Sequence, residues 1–310
     1  MVEGKRTLQL MGTKIQLWVS HENYEDLLDE AEKKLISYEQ RFSANDSSSD
    51  LMKVNRAAGV SPVHVDQELF ELISIGKRQS LIKGSSLNIA IGPLIQAWRI
   101  GFQDVHYPGD SKIQELLKII NPQKIQLSET EQTVFLEEKG MAIDLGALAK
   151  GYFADNIIAF FRQQGARGAF IDLGGNVLTY GVTPTQSHQW RIGIQNPFLP
   201  RGNYAAAVDV RNQSIVTSGI YERSFEWNNR TYHHIFNSQT GYPIQTDLAS
   251  ITIISDQSLD GEIWTTRLFG KKATTIIAEI NQIPDLEGIV ITTQGELAYS
   301  KGLVDRIHLF

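Results

Sequence analysis

From Thr13 to Ser20, apolar and polar positions alternate, with Ile15, Leu17 and Val19 on one face, and this period of two predicts a strand. Asn23 is placed to cap a helix reaching about Arg41, in which Leu27, Leu28, Ala31, Leu35 and Ile36 recur at helical spacing. Phe42–Asp50 is polar and small and reads as a loop. A second helix is expected over Asp66–Lys83, followed by a turn at Gly84-Ser85-Ser86. Leu87–Ile91 comes next, Pro93 opens a short helical stretch, and Val105–Asp110 is loop. A helix over Ser111–Ile120 and a short hairpin from Ile125–Leu127 and Thr133–Leu136 complete this part.

The middle of the chain is more distinctive. Ala142–Leu145 reads as a strand, Gly146–Gly151 as a turn, and Gly151–Gln164 as a helix with Ile157, Ile158 and Phe161 inward and Gly165 as its C-terminal stop. Ala169–Leu173 reads as a buried strand ending in a tight turn at Gly174-Gly175. Further strands are expected at Ala205–Val210, Ile215–Thr217 and Leu248–Ile254. A helix, broken or continuous, is expected from Gly261 through Leu268 to Ile280, and a last hairpin from Gly288–Thr292 and Glu296–Ser300. Strands and helices mix without a strict βαβ rhythm, which makes α+β the fold class. No internal repeat or low-complexity linker divides the 310 residues, so one unit over 1–310 is expected.

Composition narrows the function. With 42% hydrophobic and 21% charged residues the chain is an ordinary globular one. A net charge of −6 argues against nucleic acid as the main partner, because a phosphate backbone requires a basic face. A small anion needs only a local nest of amides, a cation or a metal. The absence of cysteine removes disulfides, thiolate metal sites and cysteine nucleophiles together. Met1–Leu10 carries Lys5 and Arg6, with no apolar run long enough for a signal peptide or membrane span, so a cytoplasmic protein is expected.

Four segments carry chemistry. In Asp144-Leu-Gly-Ala-Leu-Ala-Lys-Gly151 a carboxylate precedes a glycine turn into a helix, which aims amides and Lys150 at one spot suited to phosphate; a plain strand-to-helix turn has the same pattern. Asp172-Leu-Gly-Gly-Asn176 allows close approach of a ligand or of another backbone. His233 and His234 on an extended segment face opposite ways, so one at most serves a given site as a proton acceptor and the other is structural. Glu262 and Thr266 lie one helical turn apart and offer two hard oxygen donors suited to Mg²⁺; a threonine bonding back to its own helix is the alternative.

Taken in order along the chain, these segments resemble the FAD:protein FMN transferase family, also called the ApbE family. The resemblance is carried by Met11-Gly-Thr13, Phe42–Asn55, Ile91-Gly-Pro93 with Trp98, Asp144–Asp155, Leu173-Gly-Gly175, Thr217–Tyr221, His234–Pro243 and Thr266–Gly270, which span nearly the whole chain. It implies a single compact α+β unit of two interwoven subdomains with FAD, the substrate, in the cleft between them. It also implies Mg²⁺-dependent transfer of FMN from FAD to a threonine hydroxyl of an acceptor flavoprotein, with release of AMP. Carried over residue by residue, Met11, Ser86, Leu87, Asn88, Asp144, Lys150 and Phe236 would line FAD. The carbonyl of Ala147 and the side chain of Thr266 would hold the metal, and His234 would be the base.

Three positions depart from the family pattern. The usual metal-binding aspartate falls at Glu262, one methylene longer. A Phe-Asp pair is replaced by Leu87-Asn88. A position usually aromatic is Asn45, whose smaller polar side chain would orient a water or aid a second metal where a ring would stack and help exclude water. The implied activity therefore has two competitors: FAD hydrolysis to FMN and AMP by the same grip on the diphosphate, and flavin binding without catalysis.

Overall fold

The computed structural model describes residues 2–310. Its largest element is an eight-stranded sheet whose spatial order follows the chain: Glu3–Leu10, Thr13–Ser20, Gly168–Leu173, Asn176–Gly181, Ser214–Gly219, Leu248–Ser255, Glu287–Thr292 and Leu297–Tyr299. Every neighbouring pair is antiparallel. Leu248–Ser255 is buried along its whole length because both faces of the sheet are covered. On one face lie the helices Ser258–Leu268 and Ala273–Ile280, against which Leu248, Ile251 and Ile253 pack. On the other lies a three-stranded sheet of Trp190–Gln195, Tyr204–Val210 and Ile307–Leu309, in contact with Ile215, Ile254 and Ile289. Trp190 joins the two sheets, stacked on Phe170 and edge-on to Trp18.

The helices Tyr24–Phe42 and Ala149–Gln163 pack side by side against the first strands, and their core runs on into the 51–158 region through Leu51, Leu69, Ile73, Ile89 and Ile143. That region adds the helices Asp50–Arg56, Gln67–Ser80, Gly92–Trp98 and Asp110–Leu116 and a small sheet ordered 63–64, 133–136, 125–128. Between two adjacent strands of the large sheet, the chain leaves at Gly219 and returns at Leu248. This excursion brings Phe225, Tyr232, Phe236 and Tyr242 against the fully buried Trp98, whose indole nitrogen donates to the carbonyl of Gly241 at 3.0 Å. The two regions are thereby interwoven, as the resemblance implies. No helix among the described residues is long and apolar enough to cross a membrane.

Several expectations are corrected. No element was expected before Thr13, and the N-terminal residues form a full edge strand, Glu3–Leu10, in register with Thr13–Ser20. The 42–50 loop ends in a helix at Asp50–Arg56, started by Ser49, whose hydroxyl accepts from the Met52 amide at 3.0 Å. Ala142–Leu145 is not a strand. It makes one bridge, Ala142 with Ile91, and the Asn55 side chain takes both backbone groups of Ile143, at 2.9 and 2.7 Å, where a neighbouring strand would have stood.

Candidate active site

The Asp144–Gly151 segment builds the centre. Asp144 is pinned by its own amide to the carbonyl of Ile89 at 2.9 Å, and its carboxylate accepts from the Gly146 amide at 2.8 Å, closing the turn. The turn exposes Ala147 and leads into the Ala149–Gln163 helix, which has no side-chain cap at its N-terminus. Free amides and the helix dipole there favour an anion, and the half-buried Lys150 adds a full positive charge. Burial raises the Asp144 carboxyl above its ordinary value; the Gly146 hydrogen bond and the nearby Arg223 guanidinium pull the other way.

Glu262 approaches from the Ser258–Leu268 helix. Gly151 makes the approach possible: a Cβ there would lie 2.6 Å from the Ser258 carbonyl oxygen and 2.8 Å from Glu262 Cγ. The Glu262 carboxylate is buried, accepts from Asn176 Nδ2 at 2.8 Å and stands 3.9 Å from Lys150 Nζ, both through Oε1. Burial raises its carboxyl, against the Lys150 charge and the Asn176 bond. Thr266, one turn on, is half-buried; it is the neighbouring Thr265, not Thr266, whose hydroxyl bonds back to the Glu262 carbonyl, at 3.1 Å. The Glu262 carboxylate, the Thr266 hydroxyl and the carbonyl of the exposed Ala147 are all hard oxygen donors, the chemistry that suits Mg²⁺. No group of three or more histidines and carboxylates stands together among the described residues, so any cation here depends on this mixed set.

His234 comes from the 219–248 excursion. Its Nδ1 is 3.2 Å from the carbonyl oxygen of Arg223. A carbonyl only accepts, so Nδ1 carries the proton and Nε2 keeps its lone pair. Desolvation pushes the imidazole down to about 4; the positive charges of Arg223 and Lys150 act in the same direction, the carbonyl bond against it. His233 is the structural partner: it is buried, its Nε2 donates to the carbonyl of Ile244 at 2.9 Å, and its Nδ1 accepts from the Ile235 amide.

The other expected residues are distributed less evenly. Asn45 lines a cavity of about 180 Å³ together with Gln96, Arg99, Asn55 and Asp144, and Gln96 donates to its side-chain oxygen at 3.3 Å. Met11 sits in a left-handed turn, φ 54°, its amide donating to Glu39 at 2.6 Å. Leu87 is buried, Ser86 lies beside Gly270, and Phe236 is packed on Trp98. Both ends of the Asn88 side chain are held by backbone, donating to Ile120 and accepting from Ala90, each at 2.9 Å. Four residues escaped the sequence reading of the site: Asn176, Ser258, Asp155 and Arg223. Asn176 closes the Gly-Gly motif and Asp155 the lysine motif, but only tertiary packing joins them.

The ApbE family model matches residues 11–290. The chain belongs to the ApbE family. An FAD:protein FMN transferase of Klebsiella pneumoniae (strain 342) is 40% identical over 292 residues, 94% of this chain and 90% of the relative. One of Treponema pallidum (strain Nichols) is 32% identical, covering 91% and 81%. Among solved structures, the ApbE protein of Thermotoga maritima superposes with a TM-score of 0.88 at 23% identity over 97% of this chain and 98% of that one. The apo flavinyl transferase ApbE of Pseudomonas stutzeri does so with 0.84 at 21% identity, covering 98% and 96%. These two share the fold with this chain.

Proposed function

We propose that this chain is an FAD:protein FMN transferase acting as one unit over residues 1–310. The observation that carries the reading is the meeting of Lys150 and Glu262 at the amide-rich start of the Ala149–Gln163 helix, with His234 near enough to feel the Lys150 charge and its Nε2 unpartnered among the described residues. FAD would enter with its diphosphate at that helix start, a grip that neutralises charge by position rather than by covalent chemistry. Ser86, Leu87, Phe236, Met11 and Asp144 would contact the rest of the molecule, with Asn88 holding their loop in place.

In the transfer step a threonine hydroxyl of the acceptor gives its proton to His234 Nε2. Its oxygen bonds to the phosphorus on the FMN side, and the bond from that phosphorus to the bridging oxygen breaks. AMP leaves with the bridging oxygen, and the acceptor carries FMN through a phosphoester. Lys150 offsets the charge on the diphosphate. Ala147, Glu262 and Thr266 would hold Mg²⁺, which when bound supplies further positive charge against the leaving phosphate. The acceptor would be a cytoplasmic flavoprotein.

A second reading, hydrolysis of FAD, draws on Asn45: with Gln96 it forms a polar wall at the cavity bordered by Asp144, where a water has partners. Release of AMP separates the readings. It requires an acceptor protein under the first and proceeds without one under the second, and chelation of divalent cations stops both.

A further inference from the structure

We infer that Asn176 is the positioning residue that decides which oxygen of Glu262 faces a divalent cation; this rests on the reading of Glu262 as a metal ligand. Asn176 follows the Gly174-Gly175 turn and is completely buried, as is Ser258. Its two ends are both used. Oδ1 accepts from the Ser258 hydroxyl at 2.7 Å, and Nδ2 donates to Glu262 Oε1 at 2.8 Å. The orientation of the amide follows from chemistry: an ionised carboxylate only accepts, so the NH₂ end must face Glu262 and the oxygen must face the hydroxyl.

The chain of contacts continues beyond Ser258. Its amide and that of Leu259 donate to the two oxygens of Asp155, at 2.7 and 2.9 Å. Asp155 thus anchors the start of the Ser258–Leu268 helix, that helix presents Ser258, Ser258 orients Asn176, and Asn176 holds Glu262. Lys150 Nζ stands 3.9 Å from the same oxygen. Oε1 is therefore held by the protein, and Oε2 accepts no hydrogen bond among the described residues.

A glutamate has one more rotatable bond than an aspartate and needs more restraint to act as a ligand. Here Gly151 leaves room for its Cγ and Asn176 fixes its end. Partners of this kind typically change metal affinity 10–100-fold when removed.

The test is Mn²⁺ binding, read from the electron paramagnetic resonance signal of the free ion, in the parent, Asn176→Ala, Glu262→Asp and the double variant, with melting curves to confirm folding. Asn176→Ala should weaken Mn²⁺ by about 10–100-fold in the parent. In the Glu262→Asp background, where the shorter carboxylate falls short of Nδ2, it should change affinity by only about twofold, as for independent sites. An equal loss in both backgrounds, or no loss in the parent, overturns the inference while leaving Glu262 as a ligand. A parent that binds no Mn²⁺ overturns the metal reading and the inference with it. If the alanine variant does not fold, Asn176→Thr, which fills the buried slot but cannot span both partners, makes the same comparison.

Discussion

The carbonyl oxygen of Arg223 accepts a hydrogen bond from Nδ1 of His234 across 3.2 Å, and this contact leaves Nε2 as the imidazole nitrogen with a lone pair. Burial among positive neighbours holds the group at about 4 in the free protein, so it is neutral through the whole neutral range. The acidic limb of kcat/KM assigned to this residue should therefore fall near pH 4, well below the ordinary histidine range. His234→Asn should lower turnover by about 10²–10⁴-fold. A limb near pH 6.5 that disappears in the variant would show that the ring is not desolvated as described.

Asp155 gives a pH dependence of stability with a definite sign. Desolvation is the largest influence and, with nearby Asp260, raises its carboxyl to about 6, against the lowering effect of the Ser258 and Leu259 amides. The ordinary value is 3.8, so between about pH 4 and 6 the folded chain holds this proton more tightly than the unfolded chain. Its contribution to stability falls as pH rises through that window. The stability of the parent relative to Asp155→Asn, measured by urea unfolding, should decline from about pH 4 to 6; a gap that grows contradicts the assignment. Asp155→Ala, which strips two amides of their acceptor, should cost about 1–2 kcal/mol near pH 4 and less near pH 6.

Gly151→Ala tests the packing that delivers Glu262. The added methyl meets the backbone of Ser258 and Leu259, which cannot swing aside as a side chain would. The helices must separate, at a cost of about 1–3 kcal/mol. Because Glu262 moves with its helix, the Mg²⁺ concentration giving half-maximal activity should rise in this variant. A melting temperature and metal requirement equal to the parent's would show that the two helices are not held as described.

Asn45→Tyr addresses the balance between transfer and hydrolysis. A ring in place of the Asn45–Gln96 wall removes polar partners for water at the cavity. FAD hydrolysis without acceptor, followed by AMP release, should fall while acceptor-dependent release persists. Equal hydrolysis in both proteins removes Asn45 from the argument.

What could be read from the sequence follows a physical division. Local periodicity and glycine chemistry were sufficient for the helix expected over Gly151–Gln164, which starts two residues earlier at Ala149, for its stop at Gly165 and for the Gly174-Gly175 turn, because those signals lie within a few residues of the element they specify. They failed at Ala142–Leu145, where the partner of Ile143 is the side chain of Asn55, distant in sequence. The Glu3–Leu10 strand was hidden because its charges are accommodated in ways the sequence does not show: Arg6 pairs with Asp29 and Glu32 of the Tyr24–Phe42 helix, and Lys5 is exposed. Within the site, the internal bonding of one of the two adjacent histidines, His233, and the placing of Glu262 and Thr266 one turn apart on a helix were legible. The Asp155–Ser258–Asn176–Glu262 chain was not, since it joins a helix, a second helix and a strand that only the folded core brings together.

The most direct measurement is mass spectrometry of an acceptor fragment bearing a flavinylation threonine, after incubation with this protein, FAD and Mg²⁺. The acceptor should gain one FMN less one water on that threonine, with AMP released in equal amount and the gain lost with His234→Asn. FMN and AMP accumulating beside an unmodified acceptor, or FAD recovered intact, would contradict FMN transfer.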